Sequence, residues 1–207
     1  MNFNDKQIQI LQVAERLFAD KGFDGTSIRD IAKEAGINIA MVSYYFGSKE
    51  KMLESLILYR TSDLKMQLES LISEDLQPLE KINKLVELYI RRLNKNKCIY
   101  QIVHTELSLR KRTLNLEAFV EVKRNNLKLV EQIIGEGQKQ GLFRTDVNIA
   151  LLSPTILGTF FNFQTNKPFY MQLLDLKNED AFDAYIANEL TLHIQLTIKA
   201  LLTYESK

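Results

Sequence analysis

The chain is poor in the residues that build reactive centres. It has one cysteine, Cys98, among 207 residues, which excludes an internal disulfide and any multi-cysteine zinc site. Its two histidines, His104 and His193, lie far apart and outside any HExxH-type spacing. Tryptophan is absent, and no paired carboxylates, glycine-rich phosphate loop or nucleophile beside a base can be found. An enzyme is therefore not expected, and no catalytic residue, metal ligand or cofactor is assigned. No apolar run approaches the roughly 20 residues that a spanning helix needs, so no membrane partner is expected either. The opening Met1-Asn2-Phe3-Asn4-Asp5-Lys6 lacks the charged-then-apolar pattern of a secretory signal, and a cytoplasmic location is expected. Charge of one sign is also missing, because 27 Lys+Arg stand against 26 Asp+Glu. Any attraction to a polyanion must come from placed groups.

Three prolines and eight glycines break the chain sparingly, and apolar residues recur at intervals of three and four. The reading is all-α, about nine helices with no strand. Ile10, Val13, Ala14, Leu17 and Phe18 form one stripe over residues 5–21, and Gly22 with Phe23 ends it. Ser27-Ile28-Arg29-Asp30 has capping-box spacing and opens a second helix with Ile28, Ile31, Ala32 and Ala35 on its apolar side. Asn38 caps a short third helix ending near Phe46. A long fourth helix is expected over 48–73, capped by Ser48 and reaching about 39 Å. Further helices are expected over 77–95, 98–109, 115–140, 146–164 and 179–204, with 165–178, which contains Pro168, left unstructured.

The first 47 residues carry the specific signal. Helices two and three are joined by Ala35-Gly36-Ile37, where glycine permits a positive φ and Ile37 returns to the core. This is a helix-turn-helix, whose second helix would lie in the DNA major groove and present side chains to base edges. Val42 and Phe46, four apart, should be buried, with Ile39, Ala40, Ser43 and Tyr44 outside. Tyrosine hydroxyls serve well as phosphate donors, which gives the adjacent Tyr44 and Tyr45 a purpose.

The run from Thr26 through Ile37, followed by Val42-Ser43-Tyr44-Tyr45-Phe46-Gly47-Ser48-Lys49-Glu50-Lys51-Met52-Leu53, resembles the TetR family of bacterial transcriptional regulators. The resemblance covers about residues 8–57; Gly141–Asp146 also resembles the family's link between its seventh and eighth helices. It implies a homodimer that binds a palindromic double-stranded DNA operator and represses until a small-molecule effector binds the C-terminal region. By position it implies phosphate contacts from Thr26, Ser27, Tyr44, Tyr45 and Lys49, and base contacts from Arg29, Ile39, Ala40 and Ser43. Ser43 departs from the tyrosine common there, which removes one aromatic contact.

The expected organisation is a DNA-binding domain over 1–47 and a helical effector-binding and dimerisation domain over 48–207. Such a small head needs helix four to close it through Met52, Leu53 and Leu56, and one rigid rod would then belong to both cores. Dimerisation is expected on the last two long helices, through Leu152, Ile156, Leu190, Ile194, Ile198 and Leu201, while Leu192 and Leu196 fall on another side. The effector candidates are Met66, Tyr89, Leu93, Tyr100, Ile102, Val103, His104, Leu107, Phe119, Phe160 and Gln164. The head itself is about neutral. Residues 91–112 instead concentrate Arg91, Arg92, Lys95, Lys97, Arg110, Lys111 and Arg112 against Glu106 alone. That patch is open to three readings: long-range attraction to DNA, a solvated helix end, or attraction of an anionic effector. Two other functions stay open, namely a regulator of this fold controlled by a protein partner, and, far behind, an all-α enzyme or carrier.

Overall fold

The computed structural model describes residues 3–109 and 114–203. Among them there are helices and turns and no strand. The helices are α1 (Asp5–Lys21), α2 (Ile28–Glu34), α3 (Ile39–Phe46), α4 (Lys49–Thr61), α5 (Leu64–Ser73), α6 (Pro78–Lys95), α7 (Lys97–Leu109), α8 (Glu117–Lys139), α9 (Leu152–Thr165), α10 (Lys167–Leu173), α11 (Glu179–Tyr185) and α12 (Thr191–Thr203). A single 3₁₀ turn, Ile149–Leu151, leads into α9, and a π turn, Ile186–Leu190, joins α11 to α12.

Backbone proximity divides the chain into two compact units, one formed by the segment up to Leu64 with Asn96–Lys123, the other by Lys65–Lys95 with the segment from Arg124 onward. The expected boundary at residue 47 is therefore not where the packing divides. In the first unit Met52, Leu53 and Leu56 of α4 are fully buried among Ile10, Leu11, Ala14 and Phe46, as their spacing predicted. Ile99 and Ile102 of α7 enter the same core. The head recruits α7 because three short helices and α4 leave one side of α1 uncovered, and α7 packs along α1. Glu15 on α1 and Arg60 on α4 form a largely buried two-bonded ion pair, 2.5 and 2.8 Å.

The long rod expected over 48–73 is interrupted. At residues 62–63 the helix gives way to a turn. Thr61 Oγ1 donates to the Ile57 carbonyl (2.8 Å) and Ser62 Oγ to that of Tyr59 (3.0 Å). Short polar side chains that bond the preceding turn weaken the helix there. The periodic leucines on either side hid the break.

The second unit is built on α6, which packs against α9 and α12. Ile82, Val86, Ile90 and Leu93 meet a core that includes Ile156, Phe160, Ile194, Ile198 and Leu202, each at most 2% exposed. Lys81 is buried on α6 and donates to Glu136 (2.9 Å) on α8 and to the Ile72 carbonyl (2.8 Å). The turn at Gly141 (φ 70°) brings Arg144 N–H to the carbonyl of Leu202, 2.8 Å away. Asp146 does not start a helix. Its carboxylate takes two bonds from Arg144 (2.6 and 2.8 Å), which hold its pKa below the ordinary value and raise that of the guanidinium.

The segment 165–178, expected to be unstructured, contains α10. Pro168 lies in its first turn, where a missing N–H costs nothing, and Tyr170 stacks on Phe163 with ring centres 4.4 Å apart. At the π turn Thr191 Oγ1 donates to the carbonyl of Ile186 (2.8 Å). None of the described helices is long and apolar enough to cross a membrane.

Candidate nucleic-acid interface

Local chemistry sets the helix-turn-helix in place. Gly22 ends α1 with φ 72°, and Phe23 folds back so that its ring lies 5.0 Å from that of Phe18. Ser27 and Asp30 close a reciprocal cap at the start of α2: the Asp30 amide donates to the Ser27 hydroxyl, and the Ser27 amide donates to Asp30 (3.0 Å). The Ser27 hydroxyl also donates to Asp30 at 2.6 Å. These bonds, the hydroxyl's foremost, hold the exposed Asp30 carboxyl below its ordinary pKa. At the turn, Gly36 takes φ 64° and the Ile37 amide reaches back to the Ala32 carbonyl, 3.0 Å. Gln9 on α1 donates to Ala35 O (3.2 Å), and Asn38 caps α3 by accepting from the Ala40 amide (2.8 Å).

The consequence is a sharply two-sided α3. Val42 is 1% exposed and Phe46 6%, whereas Tyr44 is 84% exposed. Ile39, Ala40, Met41 and Ser43 share the open side with Tyr44, and Tyr45 lies half-buried at the edge. Arg29 on α2 is exposed and has no ion-pair partner among the described residues. An exposed helix with an apolar-and-hydroxyl face beside a free guanidinium has the ingredients for groove reading: apolar contact for thymine methyls and a fork for guanine.

Two residues assigned to phosphate contact serve the head itself. Thr26 is 1% exposed, and its hydroxyl bridges Leu17 O (3.0 Å) and Gly22 O (2.9 Å). Lys49 Nζ donates to the carbonyls of Phe23 and Thr26, both at 2.8 Å, and lies 4.3 Å from the centre of the Phe23 ring. Residue type and position could not reveal this, because the acceptors are carbonyls contributed 23 and 26 residues earlier in the chain. Ser27 remains exposed, although its hydroxyl is already engaged.

The effector candidates fall in both units. Tyr89, Leu93 and Phe160 are buried in the second unit, and Gln164 there keeps its Oε1 buried without a partner. Ile102 is core of the first unit, and Tyr100, Val103 and Phe119 pack against that core. Met66 is 67% exposed. The side chains of His104 and Leu107 lie outside the described residues, as do Arg110, Lys111 and Arg112 of the basic segment. Within that segment Arg92 is buried, so its charge is not offered to solvent, while Arg91 and Lys95 are exposed.

The expected dimer stripe is used up inside the subunit. Leu152, Ile156, Leu190, Ile194 and Ile198 are all buried, and of that set only Leu201 faces out. On α12 and at the turn before α9 the apolar residues left in solvent are Leu151, Leu192 and Leu196, each more than half exposed, together with Leu201. A helix with two apolar stripes gives no local sign of which one its own core will take.

Residues 10–56 match the model for bacterial regulatory proteins of the tetR family, and residues 60–181 match that for the C-terminal region of YsiA-like proteins. The chain belongs to the TetR family. Its TetR relatives include the HTH-type transcriptional repressor NicS of Pseudomonas putida, 30% identical over 184 residues that span 83% of this chain and 82% of NicS. Among solved structures, the fatty acid degradation regulator FadR from Bacillus halodurans superposes with a TM-score of 0.69 at 25% identity, covering 95% of this chain and 97% of that one. FadR from Bacillus subtilis in complex with stearoyl-CoA superposes at 0.67, with 23% identity over 92% of this chain and 97% of its own. This TetR regulator thus has an all-helical fold with an N-terminal helix-turn-helix.

Proposed function

We propose that the protein is a homodimeric cytoplasmic repressor that binds a palindromic operator through α3 and is released by a small-molecule effector held in its C-terminal region. The observation that carries the DNA-binding part is the open face of α3, where Ile39, Ala40, Ser43 and Tyr44 stay in solvent while Val42 and Phe46 anchor the helix. Tyr44, 84% exposed, shares that face with Ile39 and Met41, 42% and 37% exposed, and a contiguous open apolar patch is the kind of surface that marks a contact site. Arg29 supplies the guanine-reading fork, and the exposed Tyr44 hydroxyl and the half-buried Tyr45 are the phosphate donors of this face, while the Ser27 hydroxyl is spent on Asp30. Thr26 and Lys49 hold this face in shape from behind.

Repression is supported by the names of the relatives. Effector control is supported by the FadR complex with stearoyl-CoA and by two clefts in the second unit, of about 590 and 530 Å³. Both fall in the range of small-molecule sites, and they favour an effector over control by a protein partner alone. Dimerisation is supported by the exposed leucines on α12. Two heads on one duplex must present their helices about 34–36 Å apart, or a multiple of it, so an effector acts by favouring a dimer in which that spacing is lost.

The test begins with duplexes selected from a random library by the wild-type protein. Tyr44→Ala should keep the thermal midpoint and weaken binding of the selected duplex about tenfold or more. Arg29→Ala should cost about 1–3 kcal/mol of binding and relax preference at one guanine position. Unchanged affinity in both variants, measured by fluorescence anisotropy at fixed salt, would remove the assignment.

A further inference from the structure

The first turn of α3 carries no hydrogen-bonding side chain. Its residues are Ile39, Ala40 and Met41, all three open to solvent, Ile39 42% and Met41 37% exposed. At about 100° per residue, Ala40 and Tyr44 point opposite the buried Val42, with Met41 on one flank and Ile39 and Ser43 on the other. Asn38, just ahead of the turn, spends its Oδ1 on the Ala40 amide at 2.8 Å. The donor-and-acceptor pair with which an asparagine reads adenine is therefore not free. Hydroxyls appear only in the second turn, at Ser43, Tyr44 and the half-buried Tyr45, and α3 has no charged residue.

In a helix-turn-helix the N-terminal residues of the second helix are the ones that meet base edges. Here those residues offer methyl and methylene groups and one thioether. Among the groups that base pairs present in the major groove, the C5 methyl of thymine is the apolar one. Aliphatic side chains pressed on guanine or cytosine edges strip water from donors and acceptors and return no hydrogen bond. The same side chains against a thymine methyl bury apolar surface on both partners.

We propose that Ile39, Ala40 and Met41 read thymine C5 methyls, so that each operator half-site carries a cluster of A·T pairs beneath the start of α3, chosen by apolar contact and not by hydrogen bonds to the bases. Met41 is the added specificity determinant, because its long flexible side chain flanks Ala40 and sets one edge of the cluster. Arg29 belongs to α2, so the guanine it reads falls outside the cluster. This deepens the operator reading and rests on it.

The test takes the full-length protein and the duplex it selects from the random library, with single thymines of each half-site replaced by deoxyuridine. That change removes the methyl and keeps the base pair. The selected half-sites should share at least two A·T pairs at which the replacement weakens binding about fourfold per methyl, read by fluorescence anisotropy. Met41→Ala and Ile39→Ala trim exposed groups and should keep the thermal midpoint. Each should lose the uracil penalty at the position it reads and keep it elsewhere, while Arg29→Ala keeps every penalty. Selected half-sites without thymine, or no uracil penalty in the wild type, would overturn the proposal. So would an equal penalty in the wild type and both alanine variants, which would assign the effect to duplex shape. Enrichment of no duplex at all would instead overturn the operator reading, and this one with it.

Discussion

At the scale of single residues, the head is held by side chains that bond to backbone. Lys49 is the clearest case: one ammonium fastens two carbonyls of the α1–α2 connection and covers the Phe23 ring. Lys49→Ala should therefore lower stability by about 1–2 kcal/mol, because two half-buried carbonyls lose the ammonium, that of Phe23 keeping only the Thr26 amide. Operator binding would fall with it, whereas Tyr44→Ala should change binding alone. Denaturant titration of both variants separates the two roles. Ser27 is the second case. Removing its cap hydroxyl by Ser27→Ala should cost about 1 kcal/mol near neutral pH. Asp30 titrates below its ordinary pKa because of Ser27, so its contribution is present above the usual carboxylate range and lost as pH falls through the lowered folded value. The gap between wild type and Ser27→Ala should narrow in acid, and an equal gap at neutral and acid pH would contradict the coupling.

At the scale of elements, the local signals that govern a helix end were legible and the long-range ones were not. Asn38, Ser48, Gly22 and Gly36 sit where their chemistry places them, because a cap or a left-handed turn involves only residues a few positions apart. The interruption at 62–63 and the helix at 167–173 escaped, since Thr61 and Ser62 compete with the backbone only weakly and Pro168 suits the first turn of a helix as well as a loop. Gly137 shows how packing adds a constraint that composition does not reveal. A Cβ there would stand 2.1 Å from Phe143 Cδ2, and that ring is buried by the turn that follows α8. Gly137→Ala should destabilise the protein by about 1–3 kcal/mol despite alanine's better helix propensity, and a rise in the thermal midpoint would show that the ring has room to move.

At the scale of the whole molecule, the proposed homodimer requires an apolar surface that a second copy covers. Leu192 and Leu196 lie one turn apart on α12 and are 51% and 57% exposed. Replacing both with glutamate should leave the helical fold intact and shift the protein from dimer to monomer in sedimentation, with operator affinity falling as the two heads uncouple. A double variant that stays dimeric would place the interface elsewhere. By itself the chain of amino acids determined the all-helical class, the reading head with its buried and open sides, and the family, because periodicity, caps and a long fixed motif are properties of neighbours along the backbone. Only the tertiary structure decided that α7 completes the head's core, that Lys49 and Thr26 face inward, and that the stripe through Ile194 and Ile198 is spent within the subunit. Those outcomes depend on which surfaces meet across dozens of intervening residues, and two equally apolar faces of one helix are alike until a neighbour covers one of them.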